Sequence, residues 1–161
     1  AYGLKRYIFE KDIKKLGFGL MRLPKKDGKV DEALVCQMVD HFLEQGFNYF
    51  DTAHGYLEGK SELALRDCLT SRHPRESYVL TNKLSSHHFE TEAEIRPLFE
   101  SQLAACGVEY FDFYLFHALN RNSYQKHKNC NTFEHSTIFK NKFSKTKKLL
   151  YPQKDIATVI A

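Results

Sequence analysis

The stretch "FNYFDTAHGY", residues 47–56, decides the fold class of this chain. It begins as an apolar run of the length expected for a short buried strand, and that run ends on the carboxylate of Asp51. Gly55 and then Tyr56 follow within the next five residues. In parallel α/β sheets, ligand sites form at the carboxyl ends of the strands. The stretch therefore predicts a strand of such a sheet, with an acid and a phenol just beyond its end.

The rest of the first 120 residues alternates between strand-like and helix-like segments. Strands are predicted at 47–51, 78–84 and 110–117, a weak strand or a turn at 14–20, and helices at 31–46, 61–69 and 91–107. Strands that alternate with helices indicate βα units and a parallel sheet with right-handed crossovers. Four such units suit either a doubly wound open sheet or part of a (β/α)8 barrel, and periodicity does not choose between them.

The helix ends carry recognisable signals. Asp31 is predicted to cap the first helix, and residues 91–94 have the form of a capping box for the third. Gly46 and Gly107 suit the exits of these two helices. Pro97 either kinks the third helix or belongs to a first turn that begins after residue 91.

Composition points to an ordinary globular domain. The 161 residues are enough for one domain with a real core. The four cysteines lie far apart with no CxxC pair, which argues against a zinc ribbon, a thioredoxin-like motif or a disulfide framework and favours reduced thiols. No segment has the apolar core of a signal peptide or the roughly 18 apolar residues of a membrane helix. We therefore expect a soluble, cytoplasmic protein without a membrane partner.

The charge is divided unevenly along the chain. Residues 121–161 carry nine Lys/Arg and two Asp/Glu, which leaves 15 basic and 18 acidic side chains in residues 1–120. We therefore divide the chain into an enzyme-like domain, 1–120, and a divergent Lys-rich tail, 121–161, much of it expected to be poorly ordered. Within the tail, a short helix at 123–130 and either a strand or a frayed end at 156–160 are expected. Nucleic-acid binding by the tail ranks last, because its lysines and aromatics form no known module.

Polar residues at three predicted strand ends suggest a common site. Asp51 closes the second strand, Lys83 lies near the end of the third, His117 closes the fourth, and Tyr56 follows the second strand in its loop. Taken singly, each has a structural interpretation: a turn former, a strand-end charge, a core histidine and a packed aromatic. Together they are expected to converge on one rim of a parallel sheet. Gly55 is expected to let the loop turn between Asp51 and Tyr56.

The chemistry of such a group is coherent. A phenol is a poor acid, with an ordinary pKa near 10, and an adjacent ammonium ion stabilises its phenolate form. A carboxylate can hold that ammonium in place, and an imidazole can orient a substrate oxygen. Together they would move a proton to or from an oxygen while hydride moves at the adjacent carbon, and the hydride requires a cofactor. His54 is expected to be structural, and His87 and His88, adjacent on a predicted strand, are expected to point apart and not to bind metal.

Five motifs in order resemble those of aldo-keto reductases: "LGFGLMRLP" (16–24), "FDTAHGY" (50–56), "GKSE" (59–62), "YVLTNKL" (78–84) and "YFDFYLFH" (110–117). The resemblance implies a TIM barrel and an oxidoreductase that reduces a small-molecule carbonyl with NADPH or NADH. It places the family's catalytic tetrad on Asp51, Tyr56, Lys83 and His117. It also places Gly19, Leu20 and Met21, together with Asp51, at the nicotinamide end of the cofactor.

The resemblance spans roughly residues 14–120 and then stops. Four of eight βα units are present, and the family's phosphate-binding motifs do not follow Asn120, which is the pattern of a truncated or frameshifted copy diverging near Thr132. Half a barrel leaves two open sheet edges, so marginal stability or self-association through those edges is expected. Three hypotheses follow: an NAD(P)H-dependent reductase, an inactive remnant without a full cofactor site and, last, a nucleic-acid-associated protein.

Overall fold

A parallel six-stranded sheet forms the centre of the chain. The computed structural model describes residues 13–134 in full and the backbone of residues 148–150 and 157–160. The strands of this sheet are β1 (Leu16–Gly19), β4 (Tyr49–Asp51), β5 (Val79–Leu84), β6 (Phe113–Phe116), β7 (Lys148–Leu150) and β8 (Ala157–Ile160). They lie in the order β7-β6-β5-β4-β1-β8, and every neighbouring pair is parallel. A small antiparallel hairpin, β2 (Lys25–Lys26) and β3 (Lys29–Val30), follows β1.

Each of the four predicted strands is followed by a helix, so the four predicted βα units are confirmed. The helices are α1 (Glu32–Glu44), α2 (Lys60–Leu65), α3 (Glu92–Cys106) and α4 (Arg121–Asn129). A π-helical turn, Arg66–Thr70, continues α2, and short 3-10 turns lie at Tyr56–Gly59, Arg75–Ser77 and Ser86–His88. The four predicted strands lie side by side in the order of the chain. This is the arrangement of a partial barrel, and it excludes the doubly wound open sheet.

All four predicted strands are shorter than expected, and local hydrogen bonds explain two of the differences. The backbone N–H of Phe47 donates to the carbonyl of Phe42 at 3.2 Å, so Phe47 belongs to the end of α1 and β4 begins later. Before β6, the Asp112 carboxylate accepts the N–H of Leu80 at 2.8 Å. A side chain therefore takes the place of a backbone acceptor for Leu80, while the N–H of Asp112 donates to the carbonyl of Leu80 at 2.9 Å, and β6 begins only at Phe113.

The helix signals are confirmed at both ends. Asp31 accepts the N–H of Leu34 at 3.1 Å, and the capping box of α3 is present with Thr91 as the N-cap. A later start for α3 is therefore wrong, and Pro97 lies in the second turn. Gly107 ends α3 with φ +66, and an added Cβ would lie 2.9 Å from Cγ of Arg66. Glycine is thus required there for both conformation and space.

The main core lies between the outer face of the sheet and the helices. Its largest fully buried side chains include Phe50, Leu80, Phe99, Phe111 and Tyr114. Phe99 packs edge-on against Phe111 and Tyr114, with ring centroids 5.7 and 4.9 Å apart. Burial of these apolar faces holds α3 against β5 and β6.

A guanidinium group fastens the amino ends of β5 and β6. Arg75 lies over the rings of Tyr78 and Tyr110, 4.9 and 3.9 Å from their centroids. It donates to Asp112 at 2.7 Å and to the carbonyls of residues 78 and 110 at 3.2 and 3.1 Å. One cation thus joins the two loops that lead into neighbouring strands.

The helix α4 packs onto the same body, although it lies beyond the proposed division at residue 120. Asn120 caps it, accepting the N–H groups of residues 122 and 123. His127 is fully buried beside the rings of Phe89, Phe116 and Phe133, and its Nδ1 lies 3.1 Å from Oγ1 of Thr132. Burial lowers the pKa of His127 to about 4. A neutral imidazole therefore packs among these aromatic rings, where α4 meets the rest of the fold.

The two outer strands come from the Lys-rich tail. β7 pairs with β6 and β8 pairs with β1, so the edges predicted to be open are paired in this structure. The strand alternative for residues 156–160 is confirmed at Ala157–Ile160, whereas the strand at Lys148–Leu150 was not predicted. Phe139, Phe143 and the lysines at 140–147 lie outside the described residues. Among the described helices, none has the length and apolar character needed to cross a membrane.

Replacing Arg75 by Ala is expected to lower the free energy of unfolding by about 2 to 4 kcal/mol. The buried Asp112 would lose its cationic partner, and two carbonyls would lose a donor. Urea denaturation measures the loss. The control is Arg96→Ala, whose ion pair with Glu100 is exposed and should contribute less than about 0.5 kcal/mol. Equal losses in the two variants would contradict the proposed clamp.

Acid is expected to destabilise the fold in part through His127. Its folded pKa of about 4 lies below the ordinary value of 6.5, so its contribution is present above pH 6.5 and is lost as the pH falls through 4. The full difference corresponds to about 3 kcal/mol. His127→Phe should therefore flatten the dependence of unfolding free energy on pH between 7 and 4, because every other titrating group is common to both proteins. An unchanged slope would show that this imidazole is not kept neutral by burial.

Candidate active site

A buried ion pair forms the floor of the candidate site. Asp51 is the last residue of β4, and Lys83 is the fifth of the six residues of β5. The Lys83 ammonium donates to Oδ1 of Asp51 at 2.5 Å and to the carbonyl of Thr52 at 2.8 Å. The two side chains are only 10% and 14% exposed. Parallel pairing of β4 with β5 thus brings the predicted acid and ammonium into direct contact.

Tyr56 and His117 complete the group. The Lys83 Nζ lies 4.7 Å from the centroid of the Tyr56 ring, over its face. That ring meets the imidazole of His117 edge-on, with centroids 5.5 Å apart. No described residue hydrogen-bonds to the Tyr56 hydroxyl or to either ring nitrogen of His117. The four predicted side chains therefore form one cluster, with a phenol and an imidazole available to a ligand.

Burial shifts the pKa values of two groups at this site. It raises the pKa of Asp51, while the Lys83 ammonium acts in the opposite direction. Burial also lowers the pKa of His117 to about 4, with smaller contributions from the charges of Lys83, His88 and His87. His117 is therefore neutral at pH 7, with one ring nitrogen able to donate and the other able to accept.

The turn that carries Tyr56 differs from expectation in its use of glycine. Gly55 has an ordinary right-handed φ of −82°, so it does not supply a left-handed turn. Instead, Leu57 and Glu58 have φ values of +51° and +57°. A Cβ on Gly55 would lie 3.0 Å from Nε2 of His88. The glycine is thus explained by the close approach of an imidazole.

The loop after β1 is fastened to the end of β4. The N–H of Leu20 donates to the carbonyl of Asp51 at 2.9 Å, and the Ser61 hydroxyl donates to the carbonyl of Leu20 at 2.9 Å. Thr52 Oγ1 lies 2.8 Å from the same Ser61 hydroxyl. The side chain of Leu20 is buried in the core, whereas Met21 is 43% exposed. The backbone of Leu20 is therefore held at the end of β4, and the next residue of this loop, Met21, is exposed.

A cavity of about 350 Å³ adjoins the cluster at His117. Most of its lining residues have polar side chains, Ser86, Asn120 and Ser123 among them, although apolar atoms make up most of the surface that they present. These residues follow the ends of β5 and β6, so the same rim that carries Lys83 and His117 also forms the cavity. Sequence inspection missed them, because serine and asparagine after a strand are ordinary loop residues.

The neighbouring histidines have structural contacts. His54, expected to be structural, lies with its Nδ1 3.0 Å from Oε2 of the buried Glu62, and this hydrogen bond raises the pKa of His54. His87 and His88 lie in a 3-10 turn, so their expected place on a strand is wrong. The ring of His88 packs edge-on against that of His54 at 4.9 Å. Within the described part of the chain, no three His, Cys, Asp or Glu side chains are grouped to bind a metal ion.

Comparison with known proteins agrees with this architecture. The model of the aldo/keto reductase family matches residues 15–146. Norsolorinic acid reductase B of Aspergillus parasiticus is 37% identical over 59 residues, which cover 37% of this chain and 15% of that protein. An NAD(P)H-dependent D-xylose reductase of Hypocrea jecorina is 31% identical over 111 residues, covering 66% of this chain and 31% of that protein.

Solved structures resemble the fold over most of its length. An aldo-keto reductase from Klebsiella pneumoniae in complex with NADPH superposes with a TM-score of 0.69 at 18% identity, covering 91% of this chain and 47% of that one. A holo aldo-keto reductase from Bacillus halodurans gives 0.67 at 25% identity, with the same coverages. The chain thus spans less than a third of the length of these two curated relatives and about half of these two structures.

Proposed function

This chain belongs to the aldo/keto reductase family, and on that premise we propose that it carries the proton-transfer half of an NAD(P)H-dependent reductase. The reaction is reduction of a small-molecule carbonyl to an alcohol. The observation that supports this most strongly is the Lys83 ammonium, held by Asp51 at 2.5 Å and lying 4.7 Å from the centroid of the Tyr56 ring. An ammonium in that position stabilises negative charge on the phenol.

Tyr56 is the general acid of the proposed reaction. As the carbonyl carbon is reduced, its oxygen gains negative charge and takes the phenolic proton. The phenolate left behind is stabilised by Lys83, and Asp51 holds that ammonium in place in a poorly hydrated setting. The Tyr56 hydroxyl, which no described residue engages, is the group that would contact the substrate oxygen.

His117 orients the substrate. Because its pKa is lowered to about 4, it is neutral at pH 7 and acts as a hydrogen-bond donor to the carbonyl oxygen, not as the acid. The cavity beside His117 would hold the rest of the substrate.

The cofactor site is proposed from the loop after β1. Gly19, Leu20, Met21 and Asp51 would hold the nicotinamide end, since Leu20 is tied to Asp51 and Met21 is exposed there. When bound, NADPH or NADH would supply the hydride that reduces the carbonyl carbon. The residues of this chain hold the ring, exclude water and move the proton.

A second candidate is a catalytically inactive remnant without a full cofactor site. The sequence after Asn120 favours it, because residues 121–161 have none of the family's phosphate-binding motifs. The cytoplasmic location, the division at residue 120 and self-association remain predictions. Analytical ultracentrifugation over a tenfold concentration range tests the last of these.

Cofactor binding separates the two candidates. The reductase should bind NADPH, and because the chain has no tryptophan, the nucleotide's own fluorescence is the signal to follow. Saturable enhancement of that fluorescence on titration with protein is expected, with Met21→Asp weakening it at least tenfold. Absence of saturable binding to the wild-type chain would favour the inactive remnant.

Removal of one hydroxyl tests the proposed acid. Tyr56→Phe should lower the turnover of a carbonyl substrate by about 10²- to 10⁴-fold, the contribution typical of a positioned acid, while the affinity for NADPH stays within twofold. Tyr124→Phe is the control, because that ring is exposed on α4. Steady-state oxidation of NADPH measures both. Tyr56→Phe with wild-type turnover would exclude this tyrosine as the acid.

A further inference from the structure

The main chain of Lys83 lies beyond the end of its neighbouring strand. β4 ends at Asp51, which pairs with Thr81, and the last backbone bond between the two segments runs from the N–H of Thr52 to the carbonyl of Thr81 at 3.0 Å. In a parallel sheet, alternate residues direct both backbone groups to the same neighbour. The N–H and C=O of Lys83 therefore face the side of β4 at a level where β4 has already ended.

Two side-chain amides take the place of the missing strand. Oδ1 of Asn82 accepts the N–H of Lys83 at 2.8 Å, and Nε2 of Gln102 donates to the carbonyl of Lys83 at 3.0 Å. Gln102 lies on α3, where it is fully buried. A helix therefore holds the backbone of the lysine that is proposed to stabilise the Tyr56 phenolate.

The amides are themselves held in one orientation. Nδ2 of Asn82 donates to Oε1 of Glu62 at 2.8 Å, and Nε2 of Gln102 donates to Oδ1 of Asn82 at 3.0 Å. The Tyr114 hydroxyl donates to Oε1 of Gln102 at 2.5 Å. All four side chains are 1% exposed or less. An ionised carboxylate only accepts, so Glu62 directs the NH₂ of Asn82 towards itself and leaves Oδ1 for Lys83.

We propose that Asn82 and Gln102 are positioning residues for Lys83, with Glu62 setting their orientation. They hold the lysine backbone where the strand pairing stops, so that its ammonium reaches Asp51 and the ring of Tyr56. This inference rests on the proposed function for its catalytic consequence. An apolar pair in their place would leave the N–H and C=O of Lys83 without these partners, so the network also stabilises the fold, and a test of positioning has to follow the ammonium itself.

The test follows the lysine itself. Gln102→Met keeps the size of the side chain and removes the donor to Lys83. The side-chain ammonium signals of ¹⁵N-lysine-labelled protein report on Nζ, and Lys83→Arg identifies the signal of residue 83. In Gln102→Met we expect that signal to move or to vanish through faster proton exchange. Turnover should fall about tenfold or more, since a displacement of about 1 Å at a catalytic group can cost 10²-fold, with KM for NADPH within twofold.

A control separates positioning from stability. Ile95→Val removes one buried methyl group from the same helix and should lower the melting temperature without moving the Lys83 signal. If Gln102→Met lowers the melting temperature but leaves the Lys83 signal in place, the network is structural and the proposal is wrong. Should that variant fail to fold, Glu62→Gln is the second variant. It places either an NH₂ group or a weaker acceptor oxygen against the amide donors of Asn82 and Gln102, and it should displace the same signal. The NMR result holds whether or not the chain turns over substrate, so failure of the proposed function is seen separately, as absent wild-type turnover.

Discussion

The site depends on keeping one ammonium group nearly dry beside one carboxylate. Lys83 and Asp51 are 10% and 14% exposed, and removing two charges from water is costly unless both are fully hydrogen-bonded. The ammonium donates to the Asp51 carboxylate and to the carbonyl of Thr52, and it lies over the face of the Tyr56 ring, 4.7 Å from its centroid. Both acceptors lie at the end of β4, so the pair exists only while β4 and β5 keep their parallel register.

That constraint explains why both ends of the sheet are reinforced by polar groups. At the carboxyl ends, Ser61 ties the loop after β1 to the site, and buried amides replace β4 where it stops. At the amino ends, Arg75 joins the entries to β5 and β6. The contacts at the amino ends keep the strands in register, whereas those at the carboxyl ends place side chains where parallel strands open towards a ligand.

Local sequence signals predicted much of the fold. The Asp31 cap, the capping box of α3 and the four strands were readable, because each depends on residues close in the chain. The bounds were less accurate: Phe47 joined the end of α1, and Asp112 used its side chain to replace a backbone partner. The role of Glu62 was not readable, since its partners lie 8, 20 and 40 residues away.

By itself, the sequence determined the βα order, the helix caps and the residue types at the strand ends, because periodicity and short-range hydrogen bonding act within a few residues. Only the tertiary structure decided that the Tyr56 ring lies over the Lys83 ammonium, that His117 is neutral, and that tail strands pair with both edges of the four-stranded unit. Distances between side chains, and the burial that shifts a pKa, arise only when segments far apart in the chain pack together and exclude water.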